Sequence, residues 1–249
     1  MYAITSLLFV AAILLLCLYT LHKVRLTHIL LHAAKDDARQ DVTSLFRQLE
    51  ALQGLYVDLH LQRSLPVTRG WAASPDFLRE LARHALQEKP RNVVECSSGT
   101  STLVLARCMQ LNGYGKVYSL EHDPHFARQT RRQLAYHGLS AWAEVLDAPL
   151  RPHQFHGESW PWYSEEVLPD DLEIAMLVID GPPHATRPLA RYPAGPALFH
   201  RLLPGASVYL DDADRADELA MLRRWRQEFP AMLESQRECE KGCIVLAWA

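Results

Sequence analysis

Short apolar runs alternate with amphipathic segments from residue 92 to the end of the chain, and this alternation predicts the architecture. The apolar runs are read as strands at 92–96, 116–121, 142–147, 174–180, 207–212 and 243–248. Segments with helical spacing of apolar positions lie at 101–110, 125–137, 194–203 and 214–229. Strands that alternate with helices form a mostly parallel sheet covered on both faces. The pattern therefore predicts a doubly wound α/β domain.

The N-terminal segment has a different pattern, because it is mostly apolar and carries no charged side chain. Residues 1–21 contain no Asp, Glu, Lys or Arg, and a helix of this length spans a bilayer. We therefore predict a transmembrane anchor over 1–22. The alternative is a cleaved signal peptide, but the segment has no basic leader and no small-residue cleavage site after Leu21.

Positive charge is distributed unevenly around the predicted span. Basic residues follow the span and none precedes it: Lys23, Arg25, Lys35 and Arg39. The positive-inside rule then places the C-terminal bulk of the chain in the cytosol. The expected localisation is a single-pass membrane protein with the domain that follows the span on the cytoplasmic side.

A helical stalk is predicted over 23–69, because the first forty residues of this segment favour helix and contain no proline. Apolar residues recur three and four positions apart at Val42, Leu45, Leu49, Leu52 and Tyr56. This seam suits a short coiled coil that would form a homodimer, and it equally suits packing against the following domain.

The last predicted domain covers 70–249. Ser74 and Pro75 are typical of the N-cap and first residue of a helix, which we expect to end near Pro90.

Composition narrows the class of protein. The chain has 249 residues, of which 49% are apolar and 22% charged, so it is globular rather than disordered. A formal net charge of −3 gives no electrostatic case for duplex nucleic acid as the main partner, because phosphate binding needs a clustered cationic surface. Five scattered cysteines do not form a disulfide framework, and the pair Cys239 and Cys243 suits core packing better than half of a zinc site.

Carboxylates end five consecutive predicted strands, and this regularity is the main functional signal. They are Glu95, Glu121, Asp147, Asp180 and the pair Asp211 and Asp212. Ligands of open α/β sheets bind at the carboxyl ends of the strands, where the strand order reverses. A single acid at a strand end usually caps the next helix. Five in a row instead predict a shared binding site at this edge of the sheet.

The segments around these acids resemble the motifs of the class I S-adenosylmethionine-dependent methyltransferases, from about Trp71 to the C-terminus. The matching segments are 94–103, 118–123, 146–148, 178–183 and 203–212. The resemblance implies a Rossmann-like, mostly parallel seven-stranded sheet and S-adenosylmethionine as the cofactor. One departure is that the first loop has a single glycine, Gly99, where the family usually has two or three. A Rossmann dehydrogenase is disfavoured, because the G-x-G-x-x-G motif is absent.

The resemblance also implies roles for individual residues. Glu95 ends the first strand before a tight loop in which Ser97, Gly99 and Ser101 would let the backbone approach the cofactor. Glu121 would bind both ribose hydroxyls. Asp147 would meet the adenine amino group. The remaining cofactor-binding candidates lie beside these acids: His122, Ala148 and Asp180.

Small-molecule O-methyltransferases of the catechol and macrolide-sugar kinds hold a divalent cation at the ends of the fourth and fifth strands, and the resemblance extends to these positions. It implies Mg²⁺ bound by Asp180, Asp211 and Asp212, where the metal would lower the pKa of a substrate hydroxyl. The alternative is that Asp211 caps the next helix and Asp212 is solvated.

Asp180 and His184 are the candidate catalytic residues, with His184 as the proton acceptor, although the pattern favours a solvated loop histidine. Arg187 or Arg191 would meet an anionic group. An aromatic segment at 153–163 interrupts the α/β pattern, and its Trp162 and Tyr163 suit either stacking on a ligand or packing.

Together these observations predict a membrane-anchored methyltransferase that acts on an oxygen of a small or membrane-associated acceptor, either lipid-linked or a glycan. The anchor motivates this acceptor class, because a tethered enzyme meets membrane-bound substrates at high local concentration. A catalytically inactive scaffold of the same fold is the alternative.

Overall fold

The computed structural model describes residues 2–248. The chain has two compact units, with the boundary between Arg47 and Gln48. The first helix, α1, covers Tyr2–Asp58. Its apolar N-terminal part is long and apolar enough to cross a membrane, and none of that stretch is buried within the structure. A signal sequence passes the same test of length and composition.

Seven strands form the main sheet of the second unit, and their order confirms the predicted doubly wound α/β fold. The strands are β1 (Asn92–Cys96), β2 (Lys116–Glu121), β3 (Ala143–Asp147), β6 (Ile174–Ile179), β7 (Leu202–Asp211), β8 (Leu233–Arg237) and β9 (Cys243–Ala247). Their order is β3-β2-β1-β6-β7-β9-β8. Strands β1, β2, β3, β6 and β7 run parallel, and β9 is antiparallel to both its neighbours. The strand order reverses between β1 and β6, where ligands of such sheets bind.

Five further helices flank the sheet. They are α2 (Pro75–Gln87), α3 (Thr100–Asn112), α4 (Pro124–Tyr136), α5 (Ala194–Leu198) and α6 (Ala216–Glu228). Ser74 is the N-cap of α2 as predicted. The helix predicted over 194–203 is wrong at its end, because the chain passes through a 3-10 turn at Phe199–Arg201 and enters β7 at Leu202. Pro204 favours extended backbone at the residue before it, which opposes a longer helix.

A second, two-stranded sheet is inserted after β3, and the sequence pattern did not predict it. It is the antiparallel hairpin of β4 (Leu150–Phe155) and β5 (Glu158–Tyr163). His156 and Gly157 join the strands with φ angles of 51° and 80°, the left-handed values that tight hairpin turns require. The sequence cue was weak because the turn has histidine, not asparagine, before its glycine.

The end of α1 packs into the core of the second unit. Leu55 and Leu59 are fully buried in the same apolar cluster as Phe77 and Leu78 of α2. The face that packs differs from the predicted seam, because Leu49 is 52% exposed. Beyond Gln48, α1 therefore packs against the following domain, on a face offset from the predicted seam.

Candidate active site

A cleft opens at the carboxyl ends of β1, β2, β6 and β7, at the point where the strand order reverses. It consists of a cavity of about 320 Å³ and a neighbouring one of about 150 Å³. Residues that line both cavities are Trp71, Ser97, Ser98, Phe126 and Asp180. The predicted site edge therefore holds a continuous open space rather than the protein's own side chains.

The loop from β1 to α3 forms one wall of this cleft. Ser97, Gly99 and Ser101 all line the larger cavity, as the sequence predicted. Ser97 has φ of 114°, a conformation that strongly favours glycine. At Gly99, with φ of 158°, an added Cβ would meet no atom within 4 Å. The single glycine thus stands where the backbone faces open space, and a ligand can approach it closely.

Glu95 lies beneath this loop and does not line either cavity. It is fully buried and accepts hydrogen bonds from Thr102 Oγ1 at 2.6 Å and Ser119 Oγ at 2.7 Å. Burial raises the pKa of Glu95, and the hydroxyls of Ser101, Thr102 and Ser119 oppose the rise. The position of Glu95 makes it a support for the loop.

Glu121, at the end of β2, reaches the cleft and is fixed by the loop. Its Oε2 accepts hydrogen bonds from Ser98 N at 3.1 Å and from Ser98 Oγ at 2.8 Å. Its Oε1 accepts one from Asp123 N at 3.0 Å. His122 lines the same smaller cavity. The structure therefore brings Glu121 and His122 to one site with Ser97.

Two other predicted cofactor ligands lie outside the cleft. The Asp147 side chain is 63% exposed and pairs with Arg131 at 2.9 Å. Ala148 is buried and donates its N–H to the backbone oxygen of Glu121 at 2.8 Å. Neither residue lines the two cavities. β3 is an edge strand of the sheet, and of the five strands that end in an acid it lies farthest from the reversal of strand order.

Asp180, Asp211 and Asp212, which we call the acidic triad, come together as predicted. Each offers an oxygen within 4.8 Å of the others. Burial raises the pKa of Asp180 to about 7, with Arg191 opposing the rise and Asp212 adding to it. Burial and the charges of Asp180 and Asp212 raise the pKa of Asp211 well above its usual range. Like charges this close require a cation or a proton among them.

Arg191 supplies part of that compensation, which the sequence reasoning missed. Its Nη2 donates to Asp212 Oδ2 at 2.7 Å and to Asp180 Oδ1 at 3.2 Å. Arg215 Nη1 also lies 2.8 Å from Asp212 Oδ2. The sequence predicts that Arg187 or Arg191 meets an anionic group, and Arg191 instead binds two carboxylates of the triad. Its sequence position, eleven residues past Asp180, gave no signal of this contact.

The triad still fits a metal ion, because several of its oxygens have no donor. Both carboxylate oxygens of Asp211 and Oδ1 of Asp212 are buried without a hydrogen-bond partner among the described residues. Hard carboxylate oxygens are the ligands that Mg²⁺ prefers. These residues therefore satisfy the chemistry of a divalent cation site.

His184 and Trp71 lie at the mouth of the cleft. His184 is exposed and lines the smaller cavity. Its ring lies 6.3 Å from that of Trp71 with an interplanar angle of 17°. Trp71 is 78% exposed. Lys241 Nζ holds the Trp71 segment by donating to the backbone oxygens of Gly70 at 3.2 Å and Ala72 at 3.0 Å.

The aromatic hairpin packs beneath the cleft. Trp162 belongs to the buried core and lines neither cavity, so packing rather than stacking on a ligand describes it. Tyr163 is fully buried yet lines the smaller cavity. A Cβ on Gly181 would lie 2.3 Å from the Tyr163 hydroxyl, so this close approach requires glycine.

Comparisons with known proteins agree with this geometry. Residues 94–213 match the family described as a methyltransferase domain. Cofactor-bound Rv0187 from MTB is 20% identical with a TM-score of 0.53, covering 82% of this chain and 89% of that one. The SAH-bound methyltransferase PaMTH1 from Podospora anserina is 13% identical with a TM-score of 0.56, covering 80% and 88%. The O-methyltransferase TomG from Streptomyces achromogenes, in complex with SAM, is 17% identical with a TM-score of 0.51, covering 81% and 89%.

No curated protein matches the sequence. The strand order is that of the class I methyltransferase fold, and the match to a methyltransferase domain lies within the second compact unit. Within that class, the chain resembles the O-methyltransferase branch of the S-adenosylmethionine-dependent enzymes.

Proposed function

We propose that the cleft binds S-adenosylmethionine and transfers its methyl group to an oxygen of an acceptor. The observation that carries this proposal is the convergence of three features on one open cleft. These are the Ser97–Ser101 loop, the Glu121 carboxylate, and Asp180 and Asp212 of the acidic triad, with Asp211 buried behind them at the reversal of strand order.

The chain's own residues act mainly by positioning. The N-terminus of α3 offers backbone N–H groups to the carboxylate of the methionine moiety. Glu121 accepts hydrogen bonds from the ribose hydroxyls. The bond from the methyl carbon to sulfur breaks as the acceptor oxygen attacks in line, and the acceptor proton leaves to a base, for which His184 is the candidate at the mouth. Alignment of two reactants is worth effective molarities of about 10⁵ M or more.

We assign Mg²⁺ to the acidic triad as part of the same proposal. Asp180, Asp211 and Asp212 would hold it, and when bound the metal lowers the pKa of the acceptor hydroxyl. The charges support this assignment. The carboxylates of Asp180, Asp212 and Glu218 lie within 3.6 Å of the Arg191 guanidinium, and Asp211 lies beside the first two. Arg215 adds one more positive charge at the edge. The cluster thus retains negative charge for a divalent cation to balance.

The apolar N-terminal helix supports an acceptor at the membrane. We propose that residues 1–22 anchor the protein with its catalytic domain in the cytosol, following the basic residues after the span. A lipid-linked or glycan acceptor would then be concentrated near the cleft. A homodimer through the exposed seam of the stalk is a further part of the proposal, and nucleic acid is not among the expected partners.

Binding of S-adenosylhomocysteine by the full chain in detergent micelles, measured by calorimetry, tests the central step. We expect saturable one-site binding at micromolar ligand. Absence of heat at millimolar ligand would contradict the proposal and would favour the inactive scaffold. The scaffold is not favoured by the structure, because the cleft is open at the loop and at Glu121.

A further inference from the structure

Arg191 is buried inside the acidic triad, and the methyl transfer proposed above does not by itself explain a guanidinium there. Its side chain is 4% exposed. Besides its bonds to the two side chains, it donates from Nη1 to the backbone oxygen of Asp211 at 2.8 Å and from Nη2 to that of Asp180 at 2.8 Å. One guanidinium therefore joins the ends of two parallel strands, β6 and β7.

Arg191 donates hydrogen bonds to one carboxylate oxygen of Asp180 and one of Asp212. It makes no hydrogen bond to the other carboxylate oxygens of the triad. It contacts Oδ1 of Asp180 and Oδ2 of Asp212. Oδ1 of Asp212 and both oxygens of Asp211 are buried without partners among the described residues. A buried carboxylate oxygen without a donor is costly, so this set of oxygens points to a bound cation.

We propose that Arg191 is the positioning residue of this cation site. It fixes one oxygen of Asp180 and one of Asp212, and the remaining oxygens stay available, with Asp211, to a divalent cation. This inference rests on the proposed function, in which the triad holds the metal. Hydrogen bonds from outer residues orient metal-binding side chains in this way. The planar fork of arginine reaches four acceptors in fixed directions, which the single ammonium of lysine cannot reproduce.

Simple electrostatics predicts the opposite effect of Arg191. A positive charge beside the triad repels a divalent cation, so its removal would strengthen metal binding if charge were its only contribution. Removal of a positioning residue instead weakens metal binding, by about 10- to 100-fold for outer hydrogen-bond partners of metal ligands. The direction of the change therefore separates the two roles.

The experiment measures Mn²⁺ binding to the full chain in detergent micelles, by electron paramagnetic resonance of the free ion. We expect Arg191→Lys and Arg191→Met each to weaken Mn²⁺ binding by about 10- to 100-fold relative to the unmodified chain. Arg187→Met is the matched control, because the Arg187 guanidinium lies 3.5 Å from the Trp160 ring centroid and not in the triad. Its Mn²⁺ affinity should equal that of the unmodified chain.

Arg191→Met leaves the negative charge of the buried carboxylates without compensation, which destabilises the fold. A second variant therefore removes one of these charges as well. Arg191→Met combined with Glu218→Gln removes one of those charges, because Glu218 Oε1 lies 3.6 Å from Arg191 Nη1. Equal or tighter Mn²⁺ binding by the folded variants would overturn the inference. Loss of the fold in every variant would overturn it too, since Arg191 would then be a structural residue.

A parallel titration with S-adenosylhomocysteine separates this inference from the proposed function. An unmodified chain that binds S-adenosylhomocysteine but not Mn²⁺ would overturn the positioning role and the metal while leaving the methyltransferase proposal standing. An unmodified chain that binds Mn²⁺ but not S-adenosylhomocysteine would contradict the proposed function instead.

Discussion

Two residues of the cleft hold backbone conformations that their side chains disfavour. Ser97 has φ of 114° and Asp212 has φ of 58°, and both lie where a ligand is proposed to bind. Such positions cost about 1 to 3 kcal/mol each and persist where the surrounding structure fixes them. Here the Ser97 N–H bond to Leu120 and the Arg191 bond to Asp212 supply that constraint. At the residue scale, the cleft is therefore held in shape before any ligand arrives.

Substitution of either of two carboxylates tests which residues bind the cofactor. Glu121→Ala should reduce S-adenosylhomocysteine affinity at least tenfold, because Glu121 both lines the cleft and holds Ser98. Asp147→Ala should leave the affinity unchanged, since Asp147 is exposed and outside the cleft. Calorimetry on both variants measures the difference. A loss of affinity in Asp147→Ala and not in Glu121→Ala would reverse our assignment of the site.

The contact between Gly181 and Tyr163 gives a second prediction. Gly181→Ala should destabilise the domain and weaken S-adenosylhomocysteine binding, because its Cβ would lie 2.3 Å from the Tyr163 hydroxyl. Tyr163→Phe should restore part of both losses in the double variant, since that hydroxyl has no hydrogen-bond partner among the described residues. Thermal unfolding and calorimetry measure the two effects. A double variant as impaired as Gly181→Ala would show that the clash lies elsewhere.

At the scale of elements, the end of α1 is part of the catalytic unit. Its Gln48 side chain donates to Asp76 Oδ2 at 2.7 Å and accepts from Asp76 N at 3.2 Å, at the start of α2. Arg79 of α2 lies 3.1 Å from the position of a Cβ on Gly54, so the two helices approach closely there. The segment predicted as a linker thus contributes buried side chains to the core.

Leucine truncation within α1 tests this packing. Leu55→Ala should lower the free energy of unfolding by about 2 to 5 kcal/mol, because Leu55 is fully buried among core residues. Leu49→Ala, on the same helix and 52% exposed, should change it by no more than about 0.5 kcal/mol. Urea unfolding of the full chain in detergent measures both. Equal effects would contradict the packing of this face.

At the scale of the whole molecule, the charge of the acidic triad would couple binding of the proposed metal to stability. A ligand that binds only the folded state stabilises it, by about 2.7 kcal/mol at a concentration a hundred times its dissociation constant. Without metal, Asp211 is buried beside two other carboxylates, and this repulsion costs stability.

Asp211→Asn should therefore raise the unfolding temperature in the presence of a chelator and abolish the further rise that Mg²⁺ produces in the unmodified chain. Asp170→Asn, which changes an exposed carboxylate elsewhere in the domain, should keep the Mg²⁺ response. Thermal unfolding with and without Mg²⁺ measures this. An unmodified chain whose unfolding temperature does not respond to Mg²⁺ would contradict the metal site.

The alternation of apolar runs and helical segments determined the sheet, because local periodicity records which face of each element is buried. It also placed Asp180, Asp211 and Asp212 at strand ends, and parallel topology then brought them together. The hairpin and β8 were not predicted, since their half-exposed strands show little periodicity.

Only the tertiary structure decided which strand-end acids share the cleft. Glu95 lies beneath its loop, and Asp147 lies on an edge strand. Neither position follows from the fact that the residue is at the end of a strand. The contact between Arg191 and the triad likewise depends on how a loop folds back over β6 and β7. Sequence periodicity specifies the burial of an element, whereas the direction of one polar side chain depends on partners distant in the chain.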